Sequence, residues 1–154
     1  MRARTSQWRP LFLLAWSVWF VDFLTKIWAE QSLNEPINLI GSFLKLQLIK
    51  NAGAAFSLQF SSIFLTTFAA ATVIAIFYWA PKITSRAWAI TLALVLGGAL
   101  GNLTDRIFKG AVTDWISVKF WPTFNIADSA IVIAAAIAIL LSAKNIAPIS
   151  KSQS

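Results

Sequence analysis

The sequence predicts an all-α membrane protein with four transmembrane helices and a small extracytoplasmic β-sheet platform. Of its 154 residues, 58% are hydrophobic and only 12% are charged, about half the charged share of a soluble domain. Four apolar runs also approach the roughly 20 residues that a helix needs to cross a bilayer. The whole chain, 1–154, is therefore predicted to form a single transmembrane domain.

The predicted spans follow the apolar runs in chain order. They cover approximately residues 11–28, 63–79, 87–103 and 126–143. The first run follows three arginines, as a signal peptide would, but no small-x-small cleavage site follows it and Asp22 and Lys26 interrupt it. We therefore expect an uncleaved first span. In the third span, Gly97 and Gly101 form a G-x-x-x-G motif, which predicts a helix-packing face.

Basic residues in the short connections predict the orientation, because short cytoplasmic loops carry an excess of lysine and arginine. These residues are Arg2, Arg4, Arg9, Lys82, Arg86, Lys144 and Lys151. Both termini are thus predicted to be cytoplasmic, and the connections 29–62 and 104–125 to lie outside. The helix dipoles agree, since Lys26 and Arg106 lie near the outer ends of spans one and three, and Asp128 opens span four.

The two outer connections each contain a segment with strand-like alternation. Leucines alternate with polar residues over 43–50, with one slip at Ile49, and Val112 and Asp114 begin a second alternation over 111–118. These patterns predict two amphipathic strands in a small sheet on the membrane surface.

Few residue types are available for chemistry. The chain has no cysteine and no histidine, which excludes disulfides, thiolate sites, a cysteine nucleophile and the commonest general base. Its net charge is +7, and its basic residues lie in short connections and at the ends of apolar runs. This distribution is typical of a membrane protein and does not indicate nucleic-acid binding. Two of its six acidic residues, Glu30 and Glu35, follow the first span and are expected to be solvated.

The four aspartates converge on the outer side although they come from separate stretches, and charge beside a membrane span suggests function. Asp22 and Lys26 are spaced i, i+4 and are expected to pair on one helix face. Asp105 and Arg106 are adjacent, so each should find its partner elsewhere.

Asp114 and Asp128 have no cation three or four residues away. Two carboxylates held close together share a proton, as in aspartic proteases, an arrangement that requires no metal or other cofactor. The spacing alone leaves catalysis and ion handling both open.

Five short polar segments occur along the chain in a fixed order. They are Asp22-Phe-Leu-Thr-Lys26, Asn51-Ala-Gly-Ala-Ala-Phe-Ser57, Gly101-Asn-Leu-Thr-Asp-Arg106, Val112-Thr-Asp-Trp-Ile116 and Phe124-Asn-Ile-Ala-Asp-Ser129. In these segments the sequence resembles the lipoprotein signal peptidase (signal peptidase II) family of bacterial membrane aspartic proteases. The family often has Val-Val-Asp-Phe where this chain has Val-Thr-Asp-Trp, which leaves the acid in place.

The resemblance implies that Asp114 and Asp128 are the catalytic dyad of an endopeptidase. Such an enzyme removes the signal peptide from a diacylglyceryl-modified prolipoprotein, cutting just before the lipidated cysteine. Further residues are implied to bind substrate or shape the site: Asp22, Lys26, Asn51, Gly53, Asn102, Asp105, Arg106 and Asn125. No metal is implied.

The resemblance also implies a fold and a location. The family fold has four membrane helices, an outer sheet platform and a short surface helix. The chain is expected in the bacterial inner membrane, with its active site near the outer face. Lipid-modified prolipoprotein and membrane lipids are the expected partners, and a monomer is expected because one chain supplies both aspartates.

The expected division of roles follows from the surroundings of the two acids. Asp128, at a helix N-terminus, is expected to be the anion. Asp114, beside apolar Trp115 and Ile116, is expected to hold the shared proton. Arg106 and Asn51 are candidates to hold the substrate backbone.

Three alternatives remain at this point. A Ser–Lys protease could use Lys26 as its base and Ser57 as its nucleophile. A small proton- or ion-conducting subunit could use Asp22, Asp105 and Asp128, although a relay should spread its acids through the depth of the membrane. An adaptor without chemistry would leave the two unpaired aspartates unexplained.

Overall fold

The computed structural model describes residues 8–55, 58–59 and 61–149, which form long helices and short strands. The helices are α1 (Trp8–Ser32), α2 (Ser62–Trp79), α3 (Arg86–Lys109) and α4 (Ile126–Ala143). The strands are β1 (Ile37–Ile40), β2 (Leu44–Asn51), β3 (Ala54–Ala55), β4 (Leu58–Gln59) and β5 (Val112–Val118). All four helices are long and apolar enough to cross a membrane, which confirms the four predicted spans.

The helix α3 is longer than its apolar run. The sequence placed its end near Leu103, but the helix continues to Lys109. It can continue because polar residues such as Asp105 are buried inside the molecule, where they do not need a loop to reach water. Gly110 then ends the helix in a left-handed conformation (φ 75°), with its N–H donating to the carbonyl of Arg106 at 3.1 Å. α1 likewise extends beyond its predicted bounds at both ends.

The same helix forms the centre of the bundle. In its most apolar window, 50% of the residues are buried, against 17–22% in the other three helices. A Cβ atom on Gly97 would lie 2.6 Å from the carbonyl oxygen of Ala15 in α1, and one on Gly101 would crowd Ala127 of α4 and the Asp22 carboxylate. The G-x-x-x-G motif is thus the packing face that the sequence predicts.

The predicted sheet is present at one end of the bundle. β1, β2 and β5 are antiparallel in the order β1-β2-β5. The register of β2 with β5 pairs Lys50 with Thr113 and shifts between Leu46 and Ile49, so the slip at Ile49 in the sequence corresponds to a β-bulge. Because β1 and β2 follow α1 and β5 joins α3 to α4, the ends of three helices meet at this sheet. We call this the sheet end of the molecule.

A short return of the chain ties β5 to the start of α4. The N–H of Ile116 donates to the carbonyl of Phe124 at 2.9 Å, and the N–H of Phe124 donates back to the carbonyl of Ile116 at 2.9 Å. This pairing brings Asn125 and the first turn of α4 alongside β5.

Between β2 and α2, strands β3 and β4 form a small antiparallel ribbon. The short surface helix that the resemblance implies is absent from the described parts of the two connections at the sheet end. Ser57, the serine of the Ser–Lys alternative, lies outside the described residues, as does Phe56.

The outward faces of the helices are apolar. Large apolar side chains on three helices are 69–80% exposed: Leu13 of α1, Ile63 and Ile74 of α2, and Ile139 of α4. Side chains of this kind are stable against lipid tails but not against water. The buried charged residues of α1 and α3, namely Asp22, Lys26 and Asp105, face inward, toward the site described next.

Candidate active site

A polar cluster lies at the sheet end, where α1, α3, α4 and β5 meet. Five of the seven largest fully buried side chains among the described residues are polar: Lys26, Asn125, Thr113, Asp22 and Asp114. Residues of these types are seldom fully buried, and burial is tolerated only when each polar atom has a partner. The partners of each residue therefore define the site.

Lys26 lies at the centre of the cluster. Its Nζ is 2.7 Å from Asp22 Oδ2 and 3.1 Å from Asp105 Oδ2, and it donates to Asn102 Oδ1 at 3.1 Å. The predicted Asp22–Lys26 pair is confirmed. Three acceptors match the three donors of an ammonium group. Lys26 lies before the last turn of α1, so its expected role at the helix terminus is wrong.

Asp22 links this centre to the start of α4. Its Oδ1 accepts the backbone N–H of Ala127 at 2.8 Å, one of the donors that a helix N-terminus leaves without a partner. Gly101 lets the carboxylate approach, because any Cβ there would collide with it. Asp22 therefore joins α1 to α4 across α3.

Asp105 and Arg106 find different partners, as predicted from their adjacency. Asp105 pairs with Lys26 and, through Oδ1, with Lys109 at 2.9 Å. Within the described part of the chain, Arg106 forms no ion pair shorter than 4.0 Å. It is half-buried, and the charges of Asp128 and Asp114 act on it.

Asp128 is held by a capping box at the start of α4. The side chain of Asn125 accepts the N–H of Asp128 at 2.8 Å, and Asp128 Oδ2 accepts the N–H of Asn125 at 3.3 Å. The other oxygen, Oδ1, accepts Asn102 Nδ2 at 2.7 Å. Asp128 is half-buried, which leaves it accessible to water.

Asp114, in β5, is buried and faces two amides. Its Oδ1 accepts Asn125 Nδ2 at 2.8 Å and its Oδ2 accepts Asn51 Nδ2 at 3.0 Å. Asn51 is oriented in turn by the N–H of Gly53, which donates to its Oδ1 at 2.9 Å. Gly53 is buried and adopts a φ of 135°, a conformation that favours glycine.

Burial raises the pKa of Asp114 from 3.8 to about 7. The hydrogen bonds from Asn51 and Asn125 oppose this shift, and the nearby charge of Asp128 adds to it. Asp114 is thus a carboxyl group that can hold a proton near neutral pH. One residue, Asn125, contacts both carboxyl groups: its side-chain amide donates to Asp114 Oδ1 and its backbone N–H donates to Asp128 Oδ2.

All ten predicted site residues are thus placed at the sheet end. Nine are connected by hydrogen bonds or ion pairs, and Arg106 is coupled to them by charge. Neither Asp114 nor Asp128 forms an ion pair with a described residue, as the sequence predicted. Within the described ranges, no three acidic side chains are grouped in a way that could hold a metal ion.

The sequence analysis missed part of the cluster. Glu30 was expected to be solvated, but its carboxylate accepts the hydroxyl of Thr113 at 2.7 Å and pairs with Lys50 and Lys109. That expectation is wrong for Glu30, whereas Glu35 is exposed. The i, i+4 spacing of Asp105 and Lys109 could have revealed one of these contacts had α3 been extended beyond Leu103.

The positions of the acidic residues and of Lys26 bear on two of the alternatives, the ion-conducting subunit and the Ser–Lys protease. Asp22, Asp105 and Asp128 all lie toward the sheet end and do not form a chain through the depth of the bundle, so nothing favours the ion-conducting subunit. The three contacts of Lys26 are to two aspartates and an amide. An ammonium group that donates to three acceptors has no lone pair with which to take a proton from a serine, so these contacts do not support the base role of a Ser–Lys protease.

Comparisons with known proteins identify close relatives. The sequence model of the family described as signal peptidase (SPase) II matches residues 14–144. The chain is 43% identical over 147 residues to a lipoprotein signal peptidase of Streptomyces coelicolor, a match that covers 90% of this chain and 72% of the relative. It is 38% identical over 143 residues to one of Mycobacterium tuberculosis, covering 87% and 71%.

Two solved structures have the same fold. One is a bacterial membrane enzyme determined by the in meso method at 2.3 Å resolution, with a TM-score of 0.84, 25% identity, and coverage of 100% of this chain and 99% of that chain. The other, determined by the same method at 1.9 Å, has a TM-score of 0.79 and 28% identity, covering 88% and 94%.

Proposed function

The chain belongs to the signal peptidase II family, and from this premise we propose that it is an aspartic endopeptidase acting on diacylglyceryl-modified prolipoproteins. Family membership makes it a protease of lipoprotein signal peptides and a multi-pass bacterial membrane protein. Three parts of this function are proposed here. They are the aspartic mechanism, cleavage just before the lipidated cysteine, and the residues that perform the reaction.

One observation carries the proposal: among the described acids of the cluster, Asp114 and Asp128 form no ion pair, and Asn125 contacts both carboxyl groups, its side chain donating to Asp114 and its backbone N–H to Asp128. The other buried acids, Asp22 and Asp105, are neutralised by Lys26. Two nearby carboxylates that form no ion pair repel each other unless they share a proton. This is the arrangement that an aspartic protease requires.

The two environments suit different roles. Asp114 is buried, and its pKa of about 7 allows it to hold the shared proton and donate it to the scissile carbonyl. Asp128 is accessible to water, and the N-terminus of α4 and the amide of Asn102 stabilise its negative charge. Asp128 is therefore the general base that removes a proton from the attacking water.

The reaction then balances as a hydrolysis. Water adds its oxygen to the carbonyl carbon, the proton of Asp114 moves to the carbonyl oxygen, and Asp128 keeps the proton taken from water. The tetrahedral intermediate collapses when the C–N bond breaks: Asp128 gives its proton to the leaving nitrogen, and a hydroxyl of the intermediate returns a proton to Asp114. The products are a carboxyl group and a free amine, and the dyad has one proton again.

Arg106 is the candidate group for holding the substrate backbone. It has no ion-pair partner among the described residues, and it lies where the charges of both aspartates act on it. The sequence analysis also proposed Asn51 for this role. Both polar atoms of its side chain are used, however, one on Asp114 and one on Gly53, so its better-supported role is to orient Asp114.

The proposed location is the inner membrane of a bacterium, with the sheet end on the outer (periplasmic) side and both termini in the cytoplasm. Lys82 and Arg86 support it, because Lys82 lies in the short connection between α2 and α3 at the opposite end and Arg86 is the first residue of α3. A lipid-anchored substrate would then meet the dyad near the outer surface, with its acyl chains against apolar helix faces. We propose a monomer, since one chain supplies both acids.

The test uses purified protein reconstituted with a diacylglyceryl-modified prolipoprotein, whose size shift reports cleavage. Asp114→Asn and Asp128→Asn should each abolish cleavage while still unfolding cooperatively, as a folded protein does. Glu35→Gln is the matched control, because it also removes one acidic charge at the sheet end but from an exposed position. Near-full activity in either aspartate variant would show that the dyad is wrong.

A further inference from the structure

Thr113, the residue before Asp114, is held by polar contacts to three other elements. It is fully buried, and its N–H donates to Asp105 Oδ2 of α3 at 3.0 Å. Its hydroxyl donates to Glu30 Oε1 of α1 at 2.7 Å and accepts Lys50 Nζ of β2 at 2.9 Å. Three elements therefore fix one residue of β5.

Charge strengthens the bond between the Thr113 hydroxyl and Glu30. A carboxylate acceptor makes a hydrogen bond about twice as strong as a neutral one. Lys50 and Lys109 pair with the same Glu30 oxygen, Lys109 at 2.8 Å, so the carboxylate is neutralised where it accepts the hydroxyl. Lys109 also pairs with Asp105, which joins both partners of Thr113.

The geometry of a strand carries this constraint to the next residue. Successive side chains of a strand point to opposite faces. When the Thr113 side chain is held toward Glu30, the Asp114 side chain must point away from it, toward Asn51 and Asn125. The direction of the Asp114 carboxylate thus depends on a hydrogen bond that does not touch it.

We propose that Glu30 and Thr113 are positioning residues that aim Asp114 at Asp128, an inference that rests on the dyad proposed above. We call the Glu30–Thr113 hydrogen bond the clamp. Neither residue contacts the reacting atoms, so the clamp should affect the chemical step and not substrate binding. In catalysis, a misplacement of about 1 Å can cost roughly a hundredfold in rate.

Thr113→Val removes the hydroxyl with little change of shape, and Glu30→Met removes the acceptor. Each should lower kcat about tenfold while KM stays within about twofold, because the substrate contacts are unchanged. Thr113→Ser and Glu30→Gln keep a donor and an acceptor, respectively, and should retain kcat within about twofold. The double variant T113V/E30M should be no slower than either single variant, since both lose the same bond.

The matched control is Thr91→Val. Thr91 is also a buried threonine, but its hydroxyl donates only within α3, to the carbonyl of Ala87 at 3.0 Å. This variant should keep the wild-type kcat. Melting temperatures of all variants report whether each is folded.

Three results would overturn the clamp: wild-type kcat in T113V, a loss in T113S as large as in T113V, or multiplying losses in the double variant. If T113V does not fold, E30M and E30Q decide alone, and equal kcat in these two variants would reject the clamp. The D114N variant separates the two proposals. An active D114N rejects the dyad, whereas an inactive D114N together with a fully active T113V rejects only the clamp.

Discussion

The raised pKa of Asp114 predicts how stability should depend on pH. The pKa is about 7 in the folded protein against an ordinary value of 3.8, a difference of about 3. Between these values the folded protein keeps a proton that the unfolded chain has lost. The free energy of unfolding should therefore fall as pH rises from about 4 to about 7, and then level off.

The magnitude follows from the shift. Each pKa unit corresponds to about 1.4 kcal/mol, so Asp114 lowers the free energy of unfolding by ~4 kcal/mol over the whole window. Between pH 5 and pH 8 only the upper two units are crossed, which leaves ~3 kcal/mol.

The Asp114→Asn variant removes this titration. Its amide must face a donor on Asn51 or Asn125, which destabilises the protein by about 1–3 kcal/mol at every pH but does not change the slope. The wild-type free energy of unfolding should thus lose ~3 kcal/mol relative to the variant between pH 5 and pH 8.

Reversible unfolding by dodecyl sulfate in maltoside micelles, followed by tryptophan fluorescence, can measure this difference, since the chain has eight tryptophans. The exposed-site variant Glu35→Gln should run parallel to wild type and serves as the control. Parallel curves for wild type and Asp114→Asn would refute the raised pKa, and with it the assignment of the shared proton to Asp114.

Three further predictions concern the same cluster. The kcat for prolipoprotein cleavage should fall as pH rises above about 7, because Asp114 then loses the proton it donates, and a flat profile up to pH 9 would contradict that role. Lys26→Met should destabilise the protein by about 3–5 kcal/mol in the same unfolding assay, since Asp22 and Asp105 would remain buried without their cation, and a loss below about 1 kcal/mol would be inconsistent with the burial described. Gly101→Ala should lower the free energy of unfolding by about 1–3 kcal/mol, because its Cβ would collide with the Asp22 carboxylate, and an unchanged melting temperature would show that α1 can move aside.

Much of the fold could be predicted because the bilayer limits the structures that a membrane-spanning segment can adopt. A spanning segment must be an apolar helix of a certain length, so four apolar runs give four helices. Because successive helices run in opposite directions, the position of an aspartate along its apolar run predicts the side of the membrane on which it lies. That is how Asp22, Asp105, Asp114 and Asp128 could be placed together without any knowledge of their contacts.

The ends of the helices could not be predicted from hydropathy, because a polar residue can end a span or be buried inside the bundle. Asp105 is buried and pairs with Lys109 within a helix that continues past Leu103, whereas the sequence was interpreted as ending the span there. Glu30 was missed for a related reason. Its partners Lys50 and Thr113 are brought to it by the register of β2 with β5, and that register includes a bulge whose position the alternation only hinted at.

The hydrogen-bond network also fixes the direction of the two amides that face the dyad. Asn102 Oδ1 receives donors from Lys26 and Asn125, so its Nδ2 must point to Asp128. Asn125 Oδ1 receives the N–H of Asp128, so its Nδ2 must point to Asp114. Neither amide can rotate by half a turn without bringing two donors or two acceptors together in a buried site. Both acids therefore face only donors before any substrate arrives, and this preorganisation is set largely by Lys26, whose charge never takes part in the reaction.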